Sequence, residues 1–217
     1  MSSSEAISLN WYRRFYAWVA NWHVHRGVRV TATILDDALN ELALARVFAA
    51  LDVLHAHCPA QLKRIPILLH SLAVTRLVAA LGSWRSDLQA ALLDRDFILA
   101  PDTTPEMIAA VIVHELTHAR LERAGLRTTP ETRARCERIC CLAERNYIAR
   151  LPDASERQRL EEWNERYLAA APEFWSDAAM SARAALWRSE LAPWRRIGYD
   201  LAGFIRRVCR TALLDKR

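Results

Sequence analysis

The chain has 217 residues, a formal net charge of +5, a hydrophobic fraction of 52% and only five glycines. This length and composition exclude a disordered or fibrous chain and favour one helix-rich globular unit with a single hydrophobic core. The charge is modest and no nucleic-acid recognition motif accompanies it, so we interpret the basic residues as a solvated surface.

Helices are expected at the beginning of the chain. Aromatic residues recur at spacings of four, three and four within residues 6–25, which is typical of one helical face. They are Trp11, Phe15, Trp18 and Trp22. A second helix is predicted over residues 34–55 from its apolar periodicity. Its inward residues are expected to be Leu35, Leu39, Leu42, Val47, Leu51 and Leu54.

The pattern changes between residues 64 and 100, where short apolar or alternating runs replace the helical period. These runs cover 65–69, part of 72–79, and 90–99, and they are divided by Pro66 and by Gly82-Ser83. We predict two or three strands there. The run at 90–99 leads into the next helix, so we expect it to be an edge strand that can hold an extended peptide by main-chain hydrogen bonds.

The next helix has start and stop signals of its own. Thr104 is a suitable N-cap, Pro105 occupies the first helical position, Glu106 lies in the first turn, and Gly125 follows the end. We therefore expect a helix that runs from Thr104 to just before Gly125.

This helix carries the sequence His-Glu-Leu-Thr-His at residues 114–118. His114 and His118 are four positions apart, so their rings project from one face and can hold a single zinc ion. Glu115 lies beside them, where it can take a proton from a zinc-bound water and later deliver it to a leaving amine. The spacing thus indicates a zinc site that performs hydrolysis.

Catalytic zinc usually takes three protein ligands. The following helix, predicted from Thr129 to about Arg150, carries Glu137 and Glu144 on one stripe, and its arginines occupy the opposite side: Arg135, Arg138 and Arg145. Glu137 therefore points inward and is our candidate third ligand. Glu144 remains the alternative, and a cysteine ligand from Cys140 or Cys141 also remains open.

The motif, the following eighteen residues and then Glu137 resemble the gluzincin metallopeptidases, in particular the HExxHx18E pattern of the zinc aminopeptidases. The resemblance implies that His114, His118 and Glu137 bind zinc and that Glu115 is the general base. It covers residues 94–147. The chain has no GxMEN motif upstream, and Cys141 stands where thermolysin-like enzymes often have an acidic residue bonded to a ligand histidine.

A peptidase also needs a donor that stabilises the tetrahedral oxyanion. Tyr147, on the inward stripe of the helix that carries Glu137, is our candidate for this catalytic role. Tyr199 and His70 remain alternatives.

The rest of the chain is predicted to be helical. Ser155 and Gln158 form a possible capping box for a helix that ends near Ala171, and residues 174–214 form two helices divided around Pro193. We expect an α+β, predominantly helical, zincin-like domain with a small β-sheet packed beside the HExxH helix. It is predicted as one domain over 1–217, with N-terminal helices in 1–60, strands and metal-binding helices in 61–150, and C-terminal helices in 151–217.

The predicted function is zinc-dependent hydrolysis of a peptide or protein substrate by a zinc-bound water that Glu115 activates. The alternative is a non-catalytic, zinc-containing regulatory or interaction protein with a Trp-rich, basic binding surface. The five cysteines include no CxxC pair, which favours free thiols in a reducing compartment. No signal peptide or transmembrane segment is recognisable, so we expect a cytoplasmic protein; the oligomeric state stays open.

Overall fold

The computed structural model describes residues 22–34, 36–78 and 80–189. Contacts divide the chain into two units, Met1–Ser176 and Asp177–Arg217. The predicted single domain stays a prediction, because much of the second unit lies outside the described residues. The predictions for Leu35, Tyr199 and the helix break at Pro193, and for three of the four N-terminal aromatic residues, also fall outside them: Trp11, Phe15 and Trp18.

A mixed five-stranded sheet forms one layer of the first unit, in the order β1-β2-β3-β5-β4. The strands are β1 (His23–His25), β2 (Val28–Ala32), β3 (Ser71–Thr75), β4 (Gly82–Arg85) and β5 (Ala90–Asp94). The three central strands, β2, β3 and β5, are parallel, and the two outer strands are antiparallel to their neighbours. Arg26 and Gly27 join β1 to β2 with φ of 51° and 78°, the positive values that a two-residue hairpin turn requires.

The helices of the first unit pack against the sheet or against one another. They are α1 (Asp37–His57), α2 (Pro59–Leu68), α3 (Arg95–Leu99), α4 (Pro105–Arg123), α5 (Arg133–Ile148) and α6 (Ala154–Leu168), followed by a short 3-10 turn at Pro172–Trp175. The described part of the second unit is a helix, α7 (Asp177–Ser189). The predicted α+β, predominantly helical class is therefore confirmed.

The core lies between the sheet and the two longest helices. Val30, Leu72 and Leu93 of the central strands are fully buried against Leu51 of α1 and Ile112 of α4. Burying this much aliphatic surface is the main stabilising contribution to such a layer. It also fixes α4, whose remaining sides contact α5 and the outer strand β4.

Two segments near the sheet differ from their predicted form. His23–His25 is strand β1, whereas the aromatic period predicted that the first helix continues to His25. Residues 65–69 belong mostly to α2, which begins with Pro59 at its first position and includes Pro66. Leu62 and Ile65 turn one side of α2 into the core, so the apolar run that predicted a strand is the buried stripe of a short helix.

The edge strand is also not the predicted one. Residues 90–99 divide into β5 and the short helix α3, and β5 lies inside the sheet between β3 and β4. The edge strand beside α4 is β4, whose first residues, Gly82 and Ser83, were interpreted as a break. A strand of four residues with a glycine at its start gives too short a pattern for the alternation to be recognised.

Helix boundaries and faces agree in part with their predictions. The α4 boundaries are confirmed, because Thr104 accepts a hydrogen bond from the N–H of Met107 and Gly125 has φ of 88°. By contrast, α6 takes Asp153 rather than Ser155 as its N-cap, and α5 begins at Arg133, after Thr129. In α1, Val47, Leu51 and Leu54 are buried as expected, but two residues expected to be inward, Leu39 and Leu42, are exposed.

Two further properties concern the described part only. None of its helices has both the length and the apolar character that a bilayer span requires. Its four cysteines are free and buried thiols: Cys58, Cys136, Cys140 and Cys141.

Candidate metal centre

Helix α4 places its two histidines where α5 crosses it. The helix is nearly enclosed, since Ile108, Ile112 and Leu116 pack into the core. His114 and His118 lie on a different side and face α5, with 15% and 9% of their side chains exposed. The spacing of four residues therefore brings both rings to one face, as the sequence predicted.

Glu137 from α5 completes a close set of donor atoms. His114 Nε2 lies 3.1 Å from His118 Nε2 and 3.1 Å from Glu137 Oε2, and His118 Nε2 lies 3.5 Å from Glu137 Oε1. Two ligand atoms about 2.0–2.1 Å from one tetrahedral zinc ion would lie roughly 3.3–3.4 Å apart. The observed separations fit that spacing, so these side chains suit a metal ion of this size.

Glu144 occupies a different position from Glu137. Its Oε1 lies 2.6 Å from Nδ1 of His114, on the side of the ring that faces away from His118 and Glu137. Only 4% of the Glu144 side chain is exposed, compared with 14% for Glu137. Glu144 is thus hydrogen-bonded to Nδ1 of His114, the ring nitrogen that does not face His118 and Glu137. A carboxylate commonly orients a metal-binding histidine in this way.

The Glu144 carboxylate is itself held from α6. Asn164 Nδ2 donates to Glu144 Oε2 at 2.6 Å and to the carbonyl oxygen of Cys141 at 3.1 Å. Asn164 is fully buried and was not singled out from the sequence. The available signal was its position one turn after Leu160 on the inward stripe of an otherwise polar helix, because a buried amide needs partners.

His118 has a polar neighbour of its own. Thr128 Oγ1, in the connection between α4 and α5, lies 3.5 Å from Nδ1 of His118. The two rings are therefore approached differently: His114 by a buried carboxylate, and His118 by an exposed hydroxyl at the limit of hydrogen-bond distance.

Glu115 points from α4 toward the edge strand β4. Its side chain is buried, and the backbone N–H of Trp84 lies near enough to favour the charged form of the carboxylate. A Cβ atom added to Gly82 would lie 2.6 Å from Glu115 Oε1 and 2.7 Å from Val111 Cγ1, closer than real Cβ contacts. Glycine at position 82 therefore lets β4 approach the carboxylate.

One face of α4 binds β4 at a second point. Glu122, seven residues after Glu115, accepts hydrogen bonds from Trp84 Nε1 at 2.6 Å and Ser86 Oγ at 2.5 Å. Residues seven apart share a helix face, so this pair of glutamates could have been recognised in the sequence. Its strand partner could not, because β4 itself was missed.

The ionisable groups of the cluster shift one another. Burial raises the pKa of Glu115, although the nearby histidines oppose that shift. Burial also disfavours the charged form of His114, but the neighbouring Glu144 carboxylate and further hydrogen bonds raise the pKa of His114 well above its usual value. Glu137 is mostly buried, yet hydrogen bonds from the two histidines hold its pKa well below the usual range.

Two cysteines of α5 lie within the same cluster. Their donor atoms belong to two groups within 4.8 Å: His114, His118 and Cys140, and His114, Cys141 and Glu144. Burial raises the pKa of both thiols. The described residues thus offer buried His, Cys and Glu groups that could hold a metal ion.

Two of the residues predicted to stabilise an oxyanion, Tyr147 and His70, lie within the described residues, and their contacts with Glu106 and Arg29 lie outside this cluster. The Tyr147 hydroxyl donates to the carbonyl oxygen of Glu106 at 3.2 Å, in the first turn of α4 and eight residues before His114. The rise of an α-helix makes that separation about 12 Å along the axis, so the hydroxyl lies near the start of α4, and the catalytic role of Tyr147 stays a prediction. His70 neighbours Arg29 and Trp22 beside the sheet, and Tyr199 lies outside the described residues.

Comparison of the chain with protein-family models, curated proteins and solved structures finds no match in any of the three. The interpretation of the site therefore depends on its own residues and their geometry.

Proposed function

We propose that this chain is a zinc-dependent hydrolase of the gluzincin type that cleaves peptide bonds. One observation carries the proposal: the Nε2 atoms of His114 and His118 lie 3.1 Å apart, and each lies 3.1 to 3.5 Å from an oxygen of the Glu137 carboxylate. The buried carboxylate of Glu115 is adjacent in sequence. A zincin-like domain, in which an edge strand lies along the motif helix, is part of the same proposal.

The roles of the residues follow from their contacts. His114, His118 and Glu137 would hold the ion, and the hydrogen bond from His114 Nδ1 to Glu144 leaves Nε2 to face it. Zinc, when bound, supplies Lewis acidity to a substrate carbonyl and to a water molecule. Glu115 accepts the proton that the attacking water loses and delivers it to the leaving amine.

Burial makes Glu115 suitable for this proton transfer. Its raised pKa brings its basicity nearer to neutral pH, where a general base works best. The carboxylate lies beside the edge strand β4, where Gly82 and the backbone of Trp84 approach it. An extended peptide bound along that edge would place its backbone beside Glu115, which favours a peptide or protein substrate.

The decisive experiment substitutes Glu115→Gln and follows zinc content and hydrolysis together. With labelled casein and a mixture of synthetic peptides as substrates, hydrolysis should fall by about 10²- to 10⁴-fold, the usual contribution of a general base. Zinc content should stay at the wild-type level, because Glu115 is not a proposed ligand. Glu165→Gln, on the exposed surface of α6, is the matched control.

Two outcomes would refute the proposal. One is less than about half an equivalent of zinc in purified wild-type protein with no further loss in His118→Ala, where a bound metal predicts near-complete loss. The other is wild-type protein that binds zinc but cleaves no substrate at a rate that Glu115→Gln diminishes.

The position of Cys140 favours a second candidate, a non-catalytic zinc protein. Its sulfur lies within 4.8 Å of nitrogen atoms in both histidines and could serve as a fourth ligand. Four protein ligands are typical of structural zinc sites, which leave no position for water. Such a site would suit a regulatory or interaction role. Two of the tryptophans expected at a binding surface, Trp163 and Trp175, are however partly buried and pack near Tyr167.

Cobalt substitution distinguishes the two candidates. A cobalt–thiolate charge-transfer band in the near ultraviolet that disappears in Cys140→Ser would indicate the closed site. The peptidase proposal expects no such band and unchanged metal affinity in Cys140→Ser. Cys136→Ser is the control, since Cys136 is equally buried on α5 but belongs to neither donor group among the described residues.

A further inference from the structure

A chain of three polar side chains connects the candidate metal centre to α6. His114 Nδ1 lies 2.6 Å from Glu144 Oε1, and the other oxygen of that carboxylate accepts from Asn164 Nδ2 at 2.6 Å. The three residues come from α4, α5 and α6, so the chain crosses three helices. Asn164 is fully buried and Glu144 nearly so, which makes each bond stronger than it would be in water.

The two partners of Asn164 fix the orientation of its amide. The Cys141 carbonyl and the Glu144 carboxylate are both acceptors, so Nδ2 must face them. As a result, Asn164 Oδ1 is buried with no hydrogen-bond partner among the described residues. A leucine of similar size would remove this unpaired oxygen, but it would leave Glu144 Oε2 without its donor.

The comparison with leucine indicates what the Asn164 amide contributes. A buried oxygen left unpaired is destabilising, and a buried charged group left unpaired is more so. The Asn164 side chain therefore provides a hydrogen-bond donor to Glu144 Oε2, while its own Oδ1 stays without a partner among the described residues. With Oε2 bonded to Asn164, Oε1 is directed to His114 Nδ1, and a proton on Nδ1 leaves Nε2 free for a metal.

We infer that Asn164 is a positioning residue of the metal centre, which fixes Glu144 and thereby the ring orientation and tautomer of His114. It touches neither metal nor substrate in this role. The inference rests on the metal centre of the proposed function, and it adds a residue of α6 to the determinants of zinc affinity. Hydrolysis is not needed for it to hold.

The test is a double-mutant cycle on zinc affinity, measured by competition with a chromophoric chelator. Asn164→Leu should weaken zinc binding by about 10- to 100-fold, the usual effect of losing an outer partner of a metal-binding histidine. In a Glu144→Ala background the same substitution should change affinity by less than about 2-fold, because the residue through which it acts is gone. Asn164→Asp, which keeps the size but replaces the donor with an acceptor, should resemble Asn164→Leu and serves if that variant does not fold.

Leu160→Ala is the matched control. Leu160 is also fully buried on α6, one turn earlier, so its loss loosens the helix without removing a polar contact. Circular dichroism of the metal-free variants monitors the fold. The positioning role predicts that Leu160→Ala lowers thermal stability while zinc affinity stays within about 2-fold of wild type.

The outcomes separate this inference from the proposed function. Three results would overturn the positioning role alone. The first is wild-type zinc affinity in both Asn164 variants. The others are an equal loss of zinc affinity on Asn164→Leu with Glu144 or with alanine at position 144, and an equal loss in Leu160→Ala. Absence of zinc from the wild-type protein would overturn both. Zinc binding without peptidase activity would overturn the proposed function and leave the role of Asn164 to be judged by the cycle.

Discussion

Glu115 and Gly82 are placed so closely that any side chain at position 82 would meet the carboxylate. A Cβ atom there would lie 2.6 Å from Glu115 Oε1. We therefore expect Gly82→Ala to displace Glu115 or β4, with a loss of about 1–3 kcal/mol in unfolding free energy, typical of overpacking. Hydrolysis of casein should fall by about 10-fold or more while zinc content is retained, because the proposed ligands contact one another and α5 rather than β4.

The neighbouring residue provides the control for that substitution. Successive side chains of a strand point to opposite faces, so Ser83→Ala changes the other face of β4. It should leave both hydrolysis and zinc content near wild type. A Gly82→Ala variant with the same specific activity as Ser83→Ala would contradict the steric role of Gly82.

The edge strand has a second attachment, through Glu122. Its carboxylate accepts from Trp84 Nε1 and Ser86 Oγ, so Glu122→Ala should release β4 from α4. If β4 binds substrate, KM should rise by about 10-fold with little change in kcat, which corresponds to one charge-assisted hydrogen bond of about 1.5 kcal/mol. Arg120→Ala, an exposed position on the same helix, is the control for steady-state kinetics, and a fall in kcat alone would contradict this role.

The two glutamates of α5 are expected to differ in their effect on zinc. Glu137→Gln removes a proposed ligand and should reduce bound zinc below about half an equivalent in metal analysis. Glu144→Gln removes only the carboxylate bonded to His114 Nδ1, so zinc should still bind, about 10- to 100-fold more weakly. The opposite order of effects would make Glu144 the third ligand and Glu137 the outer partner.

Zinc binding should release protons from His114. The Glu144 carboxylate raises the pKa of His114 despite its burial, so the metal-free ring keeps a second proton to higher pH than an ordinary histidine. That proton and zinc compete for Nε2, and apparent zinc affinity should therefore rise with pH until the imidazolium has lost it. Calorimetry at pH 7 in buffers of different ionisation enthalpy should detect proton release, and Glu144→Gln should reduce it by lowering the pKa of His114.

The cluster around the motif could be predicted in part because it depends on local spacing. Four residues along a helix bring His114 and His118 to one face whatever surrounds them, and the arginines of α5 marked Glu137 as inward. The exposed positions of Arg135, Arg138 and Arg145 agree with that stripe. Glu137 approaches Nε2 of His114, and Glu144 approaches Nδ1. This assignment depends on how α4 and α5 cross, and the sequence pattern of one helix contains no information about that crossing.

The parts that were missed share a physical cause. Gly82–Arg85 is too short to show alternation, and the edge strand was assigned instead to residues 90–99, whose apolar run fits a buried strand equally well. Tyr147 lies on the inward stripe of α5, but one turn beyond Glu144, which brings its hydroxyl to the first turn of α4. Inward direction is therefore a property of the helix, whereas the partner that a side chain meets is a property of the packing.

The sequence by itself determined the α+β, helix-rich class, the caps of the motif helix and the placing of two histidines on one face, because composition, capping and helical period act over a few residues. Only the tertiary structure decided that β4 is the edge strand, that Gly82 must be small, and that Asn164 reaches Glu144. Those relationships join residues 20 to 33 positions apart, and their distances are set by how helices and strands pack into one core.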